Sequence, residues 1–476
     1  MASISSTGLG SGLDVSSILS SLMAVERQPL TKMQADASKL QTKLSAYGKV
    51  QSYVSSLRDA ASKLSKSSTW GATTASSGDA GVVSAASSST SAAAGSYSVS
   101  VTSLAASQAV ASGSFTDKTA VLGSGSLSIE LGTWTADQTG FSPKSGSSAV
   151  SVSVAATDTL ADIRDKINNA EAGVKATIVT DASGARLVMR SSATGEENGF
   201  RVTAADDDLD NTDASGLSAL AYDPSVSVAS MTRTQPAANA VATVNGLEVS
   251  SASNTLTDVI EGVTLKLNKV SSDPVDVSVV SDTESIKTAL TDFAKVYNDL
   301  ANYLTSQTKY DASTKTAATF QGDSSVNAIR SGLRNLGISS SGSSSTLQRL
   351  SSIGLDPQAD GTLKTDSTKL TAALGNVEEL KKMFVTSGAT LGLGEKLRTW
   401  GDKLLGIEGA VTTRQSSLQS QVSENSKKQS RFEERMTTVE ARMKAQYTSL
   451  DAQMSKISGL SSYVTQQLAA LSSSSS

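Results

Sequence analysis

The sequence has no cysteine and no histidine among its 476 residues. The absence of cysteine excludes disulfides, thiolate nucleophiles and cysteine-ligated zinc. The absence of histidine excludes the Ser-His-Asp triad, histidine-ligated metals and the usual imidazole base. Carboxylate, lysine and hydroxyl chemistry stay open, but no acidic residues converge into a catalytic motif. We therefore predict that the protein is not an enzyme, and the sequence indicates no cofactor and no metal site.

Aromatic residues make up only 4% of the chain and charged residues only 18%. This composition favours a loosely packed, polar, extended protein. A net charge of −4 and an isoelectric point near 5.2 give no reason to expect nucleic acid or an anionic membrane as a partner. The N-terminus lacks the pattern of a general secretory signal, and no apolar run is long enough to span a bilayer. A cytoplasmic location and export in an unfolded state are both compatible with these facts.

Proline is scarce, with six in all, and none interrupts the last stretch of helical spacing, residues 418–471. Apolar residues recur there at steps of three and four, which predicts one very long helix with a single apolar stripe. The members of this C-terminal stripe include Phe432, Met436, Val439, Met443, Tyr447, Leu450, Met454, Ile457, Leu460, Val464 and Leu468. Residues 30–64 carry a second stripe of nearly the same spacing. Since neither helix can bury its stripe alone, we predict that the two chain ends pair in a coiled coil or bundle. The alternative is a pair of ordinary core helices.

The N-terminal residues 1–14 are small and glycine-rich. Their glycines could suggest a phosphate loop, but no strand precedes them and the spacing is not that of a dinucleotide site. We predict a flexible lead-in with Asp14 as the N-cap of a short amphipathic helix that ends before Pro29. The apolar residues of this helix are Val15, Ile18, Leu19, Leu22 and Val25.

Near Trp70 the pattern changes from helical spacing to serine-rich alternation, which is typical of half-exposed strands. The order helix, β, inserted β, β, helix predicts nested domains. The predicted domains are an N-terminal leg segment at 1–42 that pairs with a C-terminal coiled-coil leg at 425–476, a helical body domain at 43–70 and 281–424, an inner β head domain at 71–105 and 237–280, and an inserted outer β-rich head domain at 106–236. The predicted fold class is therefore α+β multidomain, with a terminal coiled-coil or helical-bundle leg and two nested β-rich head domains.

Three local signals lie within the predicted head domains. The Asn245-Gly246 pair, between alternating apolar residues, predicts a tight hairpin turn. A short helix with Leu160, Ile163 and Ile167 on one face is expected to be capped by Asp158 or Thr159. The acidic run Asp206, Asp207, Asp208, Asp210 and Asp213 lacks the glycine and the bidentate glutamate of a calcium loop, so a solvated surface loop is predicted there.

Motifs at the two ends and in the middle of the chain carry a family resemblance. They are GLGSGLDV at 8–15 with LMAVE at 22–26, the run QYTSLDAQMSKISGLSSYVTQQL at 446–468, and VNG at 244–246 with SNTL at 253–256 and GVTL at 262–265. Together they resemble the flagellar filament capping protein family, also called hook-associated protein 2. The resemblance covers essentially the whole chain and is weakest within 106–236.

This resemblance implies a secreted structural protein, exported through the flagellar type III apparatus, that forms a ring of four to six identical subunits at the filament tip. Its implied role is to retain arriving flagellin and to promote the folding and insertion of flagellin. The implied partners are further copies of itself, flagellin, an export chaperone that covers the C-terminal helix, and the export apparatus, with no nucleic acid and no membrane.

On this interpretation the stripes are assembly surfaces. The predicted contact residues are Val15, Ile18, Leu22, Phe432, Met436, Val439, Met443, Leu450, Met454, Ile457, Leu460, Val464 and Leu468. The stripes are diluted by serine, alanine and glutamine, so residues 1 to about 40 and 425–476 are expected to order only when neighbours supply apolar surface.

One alternative belongs to another functional class, and another lies within the flagellar structural proteins. A tip adhesin could bind mucin or other host glycans through its head domains, and the serine- and threonine-rich surface of 106–236 permits this without arguing for it. A junction protein or flagellin would share terminal coiled coils. The motifs quoted above favour the cap.

Overall fold

The computed structural model describes residues 14–87, 92–226 and 228–473, which form two compact units. The helical unit combines the chain up to Trp70 with the chain from Glu284 onward, and the β unit comprises Gly71–Thr283. The predicted α+β multidomain class is confirmed. The predicted glycine-rich lead-in, with Gly8, Gly10 and Gly12, lies outside the described residues.

Helices are numbered in chain order. Those of the described residues are α1 (Val15–Glu26), α2 (Gln28–Ser65), α3 (Ser67–Trp70), α4 (Leu160–Asn169), α5 (Thr283–Thr308), α6 (Ser324–Ile338), α7 (Ser367–Leu374), α8 (Val377–Phe384), α9 (Leu393–Leu405) and α10 (Ala410–Ser473). None of them combines the length and the hydropathy that crossing a membrane requires.

Strands are numbered in the same way. The described strands are β1 (Thr73–Ser77), β2 (Val83–Ser87), β3 (Gly95–Ser103), β4 (Ala109–Ala111), β5 (Gly125–Trp134), β6 (Phe141–Pro143), β7 (Val150–Val154), β8 (Val174–Asp181), β9 (Gly184–Ser191), β10 (Gly199–Asp206), β11 (Tyr222–Asp223), β12 (Val228–Ala229), β13 (Thr232–Gln235), β14 (Ala240–Val244), β15 (Leu247–Ser251), β16 (Thr255–Ile260), β17 (Val263–Leu267), β18 (Ser271–Ser281), β19 (Tyr310–Asp311), β20 (Thr316–Ala317), β21 (Leu355–Pro357) and β22 (Leu363–Thr365).

The terminal helices begin where the sequence signals indicate. The Asp14 carboxylate accepts a 2.9 Å hydrogen bond from the Ser17 amide, which confirms Asp14 as the N-cap of α1. Pro29 lies in the first turn of α2, where the amide it lacks has no partner in the helix. Helices α2 and α10 span 38 and 64 residues and run unbroken through the positions 42/43 and 424/425, where the sequence analysis drew domain boundaries.

The core of the helical unit lies where α2 packs against α5 and α9. The buried side chains on α2 run from Ala46 to Leu64. Trp70 lies at the end of this core: its ring stacks on Phe384 at 5.3 Å and its indole nitrogen donates to the carbonyl oxygen of Leu64. The helices approach closely at Gly394, because a Cβ built there would lie 2.9 Å from the Ser65 amide nitrogen.

The inner part of the β unit contains strands from both sides of the outer block. One sheet has the order β1-β18-β3-β14-β15, and a second has the order β16-β17-β2. Asn245 and Gly246 have φ values of 50° and 84° and join β14 to β15, which confirms the predicted hairpin turn.

The outer part of the β unit packs two sheets and α4 around one core. One sheet has the order β12-β11-β10-β5-β6, with β7 also paired to β5, and the other has the order β13-β4-β9-β8. Thr159, not Asp158, caps α4: its hydroxyl accepts from the Asp162 amide, and the Asp162 carboxylate accepts from the Thr159 amide. Asp158 instead accepts from the Ala155 amide and pairs with Lys166.

The prediction of a solvated acidic loop is wrong for one of its members. Asp206 is only 7% exposed, and its carboxylate accepts hydrogen bonds from the amides of Leu217 (2.6 Å) and Ser218 (3.1 Å). It therefore caps the short 3-10 turn Gly216–Leu220. Asp207, Asp208 and Asp210 are exposed, as predicted. Within the described ranges, no cluster of three or more acidic residues could hold a metal ion.

Candidate functional site

The first part of α10 runs antiparallel along α2. Three contacts fix the direction: Gln415 to Gln51 at 3.0 Å, Gln429 to the carbonyl oxygen of Met33 at 3.5 Å, and Arg27 to Glu440 at 3.0 Å. As residue numbers rise along α10, those of the partner residues fall. The two helices therefore run in opposite directions along a shared seam, as expected for long amphipathic helices that pair their apolar sides.

Helix α1 also packs on α10, and of its three predicted contact residues it buries Val15. Val15 and Met23 are each 5% exposed, whereas Ile18 and Leu22 are about one-third exposed. At about 100° per residue, Leu22 lies about 20° and Met23 about 80° from Val15 around the helix, so the buried residues do not form a face separate from that of the predicted ones. Met23 was not among the predicted contacts, because α1 carries apolar residues on more than one face.

The proximal part of the C-terminal stripe, from Phe432 to Tyr447, is covered in part. Met436 is 2% exposed, while Phe432, Val439 and Met443 are half-buried. The Arg435 guanidinium lies 5.3 Å from the centre of the Phe432 ring. Since two helices cover only one side of each other, the residues along this seam keep accessible surface for further neighbours.

The distal part of the same stripe, from Leu450 to Leu468, has no covering element in the described chain. The exposed fractions are 45% for Leu450, 39% for Met454, 61% for Ile457, 65% for Leu460, 48% for Val464 and 62% for Leu468. The spacing of the stripe is the same on both sides of Tyr447. Only the neighbouring helices change, because α1 and α2 extend no further along α10.

The charge along α10 changes at the same place. Residues 424–444 include ten charged side chains among 21, whereas residues 445–473 include only Asp451 and Lys456 among 29. A helix that is surrounded by water usually carries charges on its polar side. The distal part instead combines an exposed apolar stripe with a neutral polar side, a pattern that suits a helix surrounded by other protein segments.

The base of α10 is held by a buried polar group that the sequence analysis did not identify. Asp323 caps α6, accepts a 2.9 Å hydrogen bond from the Tyr47 hydroxyl, and lies 3.5 Å from the Arg414 guanidinium. Burial raises the pKa of the Tyr47 phenol above its usual value, and the hydrogen bond to Asp323 raises it further. The position of Asp323 before Ser324-Ser325-Val326 signals a helix cap, but no sequence spacing points to Tyr47 or Arg414 as its partners.

Comparison with known families gives three matches along the chain. A model described as the flagellar hook-associated protein 2 N-terminus matches residues 11–108, and one described as the flagellar hook-associated protein 2 C-terminus matches residues 237–459. A flagellin hook IN motif matches residues 137–193, within the outer part of the β unit.

Individual relatives match over nearly the whole length. A flagellar hook-associated protein 2 from Escherichia coli K12 is 34% identical over 486 aligned positions, which cover 98% of each chain. A B-type flagellar hook-associated protein 2 from Pseudomonas aeruginosa is 31% identical and covers 99% of this chain and 98% of its own. The crystal structure of the D1-D2-D3 domains of the flagellar cap protein FliD from Escherichia coli matches with a TM-score of 0.62 at 29% identity, covering 79% of this chain and 99% of that chain.

Proposed function

The chain belongs to the flagellar hook-associated protein 2 family and is a flagellar cap protein of the filament tip, and we propose that it works there as a ring of identical subunits whose terminal helices enter the end of the filament. In that position it retains flagellin and promotes the folding and insertion of flagellin. The role is structural, not catalytic. The resemblance drawn from the sequence motifs is thereby confirmed.

The observation that supports this mechanism is the uncovered distal stripe of α10. Its six large apolar side chains lie on the distal segment of α10, residues 445–473, which carries only two charged side chains. Burying such a side chain stabilises by about 1.5–3 kcal/mol before ordering entropy is subtracted. Helices at the filament end would supply the missing neighbours, so insertion of this segment is favourable only where a filament is present.

The proximal part of the legs suits a ring that must move as the filament grows. The seam between α2 and α10 is half-buried, and its ion pair between Arg27 and Glu440 is exposed on both sides. Exposed ion pairs of this kind contribute only about 0–1 kcal/mol. A leg held by modest apolar contacts can release one set of neighbours and engage the next without unfolding the core around Trp70.

The same stripe needs a cover before export. An exposed apolar helix in the cytoplasm favours aggregation. We therefore assign the stripe from Leu450 to Leu468 as the surface that a cytoplasmic export chaperone covers before the chain enters the flagellar export apparatus. At the filament tip, flagellin takes the place of the chaperone on this surface. A single segment then serves two partners in succession.

The alternative of a tip adhesin receives no support from the comparisons. The relatives and the solved structure reported above are named as hook-associated or cap proteins and not as adhesins. Adhesion is therefore not proposed.

The test is complementation in a bacterium that lacks its own cap. The chain is expressed there, filaments are counted by electron microscopy, and flagellin in the medium is measured by immunoblot. The host's own cap protein serves as the positive control. Restored filaments with little flagellin in the medium are expected.

The result is interpreted with a second strain that also carries this protein's own flagellin. Filaments in that strain alone would mean that the cap recognises its matching flagellin. An exported protein that gives no filaments with either flagellin would overturn the proposed role.

A further inference from the structure

One face of the sheet β13-β4-β9-β8 points away from the core of the outer β part. Along β8 and β9 the side chains alternate between the two faces, as the strand pleat requires. The core face carries Val174, Ala176, Leu187 and Met189, all at most 4% exposed. The outward face carries Lys175, Thr177, Val179, Arg186, Val188 and Arg190.

This outward face concentrates positive charge. Lys175 lies directly opposite Arg190 in the register of β8 and β9, and like charges in that position destabilise a sheet. Arg186 lies opposite Val179 on the same face. In the described chain, these three cations form no ion pair closer than 4 Å; they donate instead to Asn168 O, Ser112 O and the Ser107 hydroxyl.

The one acid on the outward face of β8 and β9, Asp181, does not neutralise this face. Asp181, at the end of β8, has a pKa below its usual value chiefly because Ser183 donates hydrogen bonds to it, with a smaller contribution from Arg186. Its carboxylate is therefore engaged in the turn before β9. Three cations and one acid leave the face positive on a chain whose net charge is −4.

The face also has an apolar centre. Val179 is 50% exposed, and Val188 on the neighbouring strand is half-buried. A complementary partner should therefore bring carboxylates together with a large apolar side chain, because charge alone would leave the valines in water.

The loop after β10 has this chemistry. Five of the eight residues 206–213 are aspartates, and Leu209 among them is 92% exposed with a φ of 71°. A leucine rarely adopts this left-handed conformation. Both ends of the loop are fixed, since the Asp207 amide donates to Ser124 O and the buried Asp206 carboxylate holds the following turn.

The loop cannot reach the basic face of its own chain. It continues β10, and the sheet of β10 and the sheet of β8 and β9 turn their buried faces toward one shared core. The basic face points away from that core. Any contact between the two surfaces therefore joins two copies of the chain.

We propose that the outward face of β8 and β9 is a docking surface for the 206–213 loop of a second copy, with Leu209 packed on Val179 and the aspartates facing Lys175, Arg186 and Arg190. This inference rests on the proposed ring of identical subunits and names the contact that joins them. Each subunit offers one face and one loop, so the contact is head to tail and repeats from copy to copy until the ring closes.

Cysteine cross-linking tests the contact directly, because the natural chain has no cysteine that could interfere. The variants Val179→Cys and Leu209→Cys are purified separately as full chains, mixed and oxidised. A disulfide-linked dimer is expected from the mixture, and a chain carrying both substitutions should give a ladder of linked subunits. As the matched control, Val270→Cys is mixed with Leu209→Cys, because Val270 is also 50% exposed in the β unit. Cross-linking no greater than in this control would overturn the proposal.

Charge reversal gives a second test that does not depend on disulfide geometry. Lys175→Glu with Arg190→Glu makes the face acidic, and Asp207→Lys with Asp208→Lys makes the loop basic. Each pair of substitutions alone should weaken association about tenfold, and all four together in one chain should restore it. The control is Lys266→Glu with Lys269→Glu, which reverses two positive charges at exposed positions in the inner part of the β unit. This variant should associate as the wild type does.

The outcomes separate this contact from the proposed cap function. If the four-substitution chain assembles no better than either pair, the docking surfaces are wrong, whether or not the wild-type chain restores filaments. If the reversed face leaves self-association unchanged but weakens binding of purified flagellin, the face serves flagellin and not a second copy. If the four-substitution chain regains assembly while the wild-type chain gives no filaments with either flagellin, the contact is upheld and the cap role is rejected.

Discussion

The Tyr47 hydroxyl donates a 2.9 Å hydrogen bond to a carboxylate oxygen of Asp323, 276 positions further along the chain. Tyr47 is fully buried on α2, and the Asp323 side chain, 5% exposed, also lies 3.5 Å from Arg414 in the first turns of α10. One buried carboxylate thus links the two long terminal helices to the start of α6. Because an unpaired buried carboxylate is unfavourable, this group fixes how α10 leaves the helical core.

Tyr47→Phe should reduce the free energy of unfolding by about 1–3 kcal/mol, since the ring remains but the carboxylate loses a donor. The pKa of Tyr47 is raised in the folded state, so this contribution should be complete below pH 10 and should shrink as the pH rises above it. Urea unfolding of both proteins between pH 7 and 11 measures the difference. Tyr310→Phe, at a 53% exposed position, is the control. A difference that stays constant to pH 11 would contradict the assignment.

Two glycines of the helical unit should respond in opposite directions to the same substitution. A Cβ at Gly394 would lie 2.9 Å from the Ser65 amide nitrogen and 3.0 Å from Phe384 O, whereas a Cβ at Gly48 in α2 would meet nothing within 4 Å. Gly394→Ala should therefore destabilise by about 1–3 kcal/mol, because α9 must move away from α2. Gly48→Ala should stabilise by about 0.5–1 kcal/mol, because alanine favours the helix. Thermal unfolding of the two variants decides both signs, and equal shifts would show that α9 does not approach α2 this closely.

The acidic run of the β unit contains one structural residue among exposed ones. Asp206→Ala removes the acceptor of two amides and should destabilise the β unit by about 1–3 kcal/mol, whereas Asp207→Ala, at an exposed position, should change stability by less than about 0.5 kcal/mol. Calorimetry with calcium or with a chelator should give the same unfolding temperature for each protein. A rise of several degrees with calcium would show that the run binds the ion after all.

The sequence predicts elements well where a local pattern dictates them. The long stripes, the Asp14 cap and the Asn245-Gly246 turn depend on spacing or on the chemistry of a few neighbours, and all three were found. Spacing does not decide whether Asp158 or Thr159 caps α4, because the cap is the side chain that accepts a hydrogen bond from the Asp162 amide. Local patterns therefore place elements more reliably than they place partners.

The candidate site was harder to predict because apolar spacing does not identify the covering neighbour. The stripe of α10 has the same period before and after Tyr447, yet Met436 is covered and Ile457 is exposed. On α1 the covered residues include Met23 rather than Ile18 and Leu22. Tyr47 and Arg414 were not selected, since a contact between residues hundreds of positions apart leaves no mark in a single sequence.

Hydrogen exchange should show a step along α10. The sequence predicts disorder in the free monomer for 425–476, but residues up to Tyr447 lie against α1 and α2 and should be protected from exchange. The segment from Leu450 onward is a helix without a neighbour, and such helices are marginal in water. In dilute monomer we expect protection at 410–447 and fast exchange at 450–473, measured by mass spectrometry of peptic fragments. Uniform protection along the whole helix would contradict both the sequence prediction and this boundary.

The distal stripe should be needed for filament growth and not for folding. Leu450 and Ile457 are 45% and 61% exposed, so Leu450→Asp with Ile457→Asp removes no core contact and should leave the unfolding temperature within about 1 °C of the wild type.

In the strain that lacks its own cap, the same double variant should give no filaments and abundant flagellin in the medium, because two carboxylates cannot enter an apolar interface without several kcal/mol of penalty. Ser455→Asp with Ser462→Asp adds the same charge seven residues apart on the same helix, outside the stripe, and should still support filaments. Normal filaments with the first variant would mean that the exposed stripe does not enter the filament end. Loss of filaments with both variants would mean that the neutral side of the helix is buried as well, so that neighbours surround the segment completely.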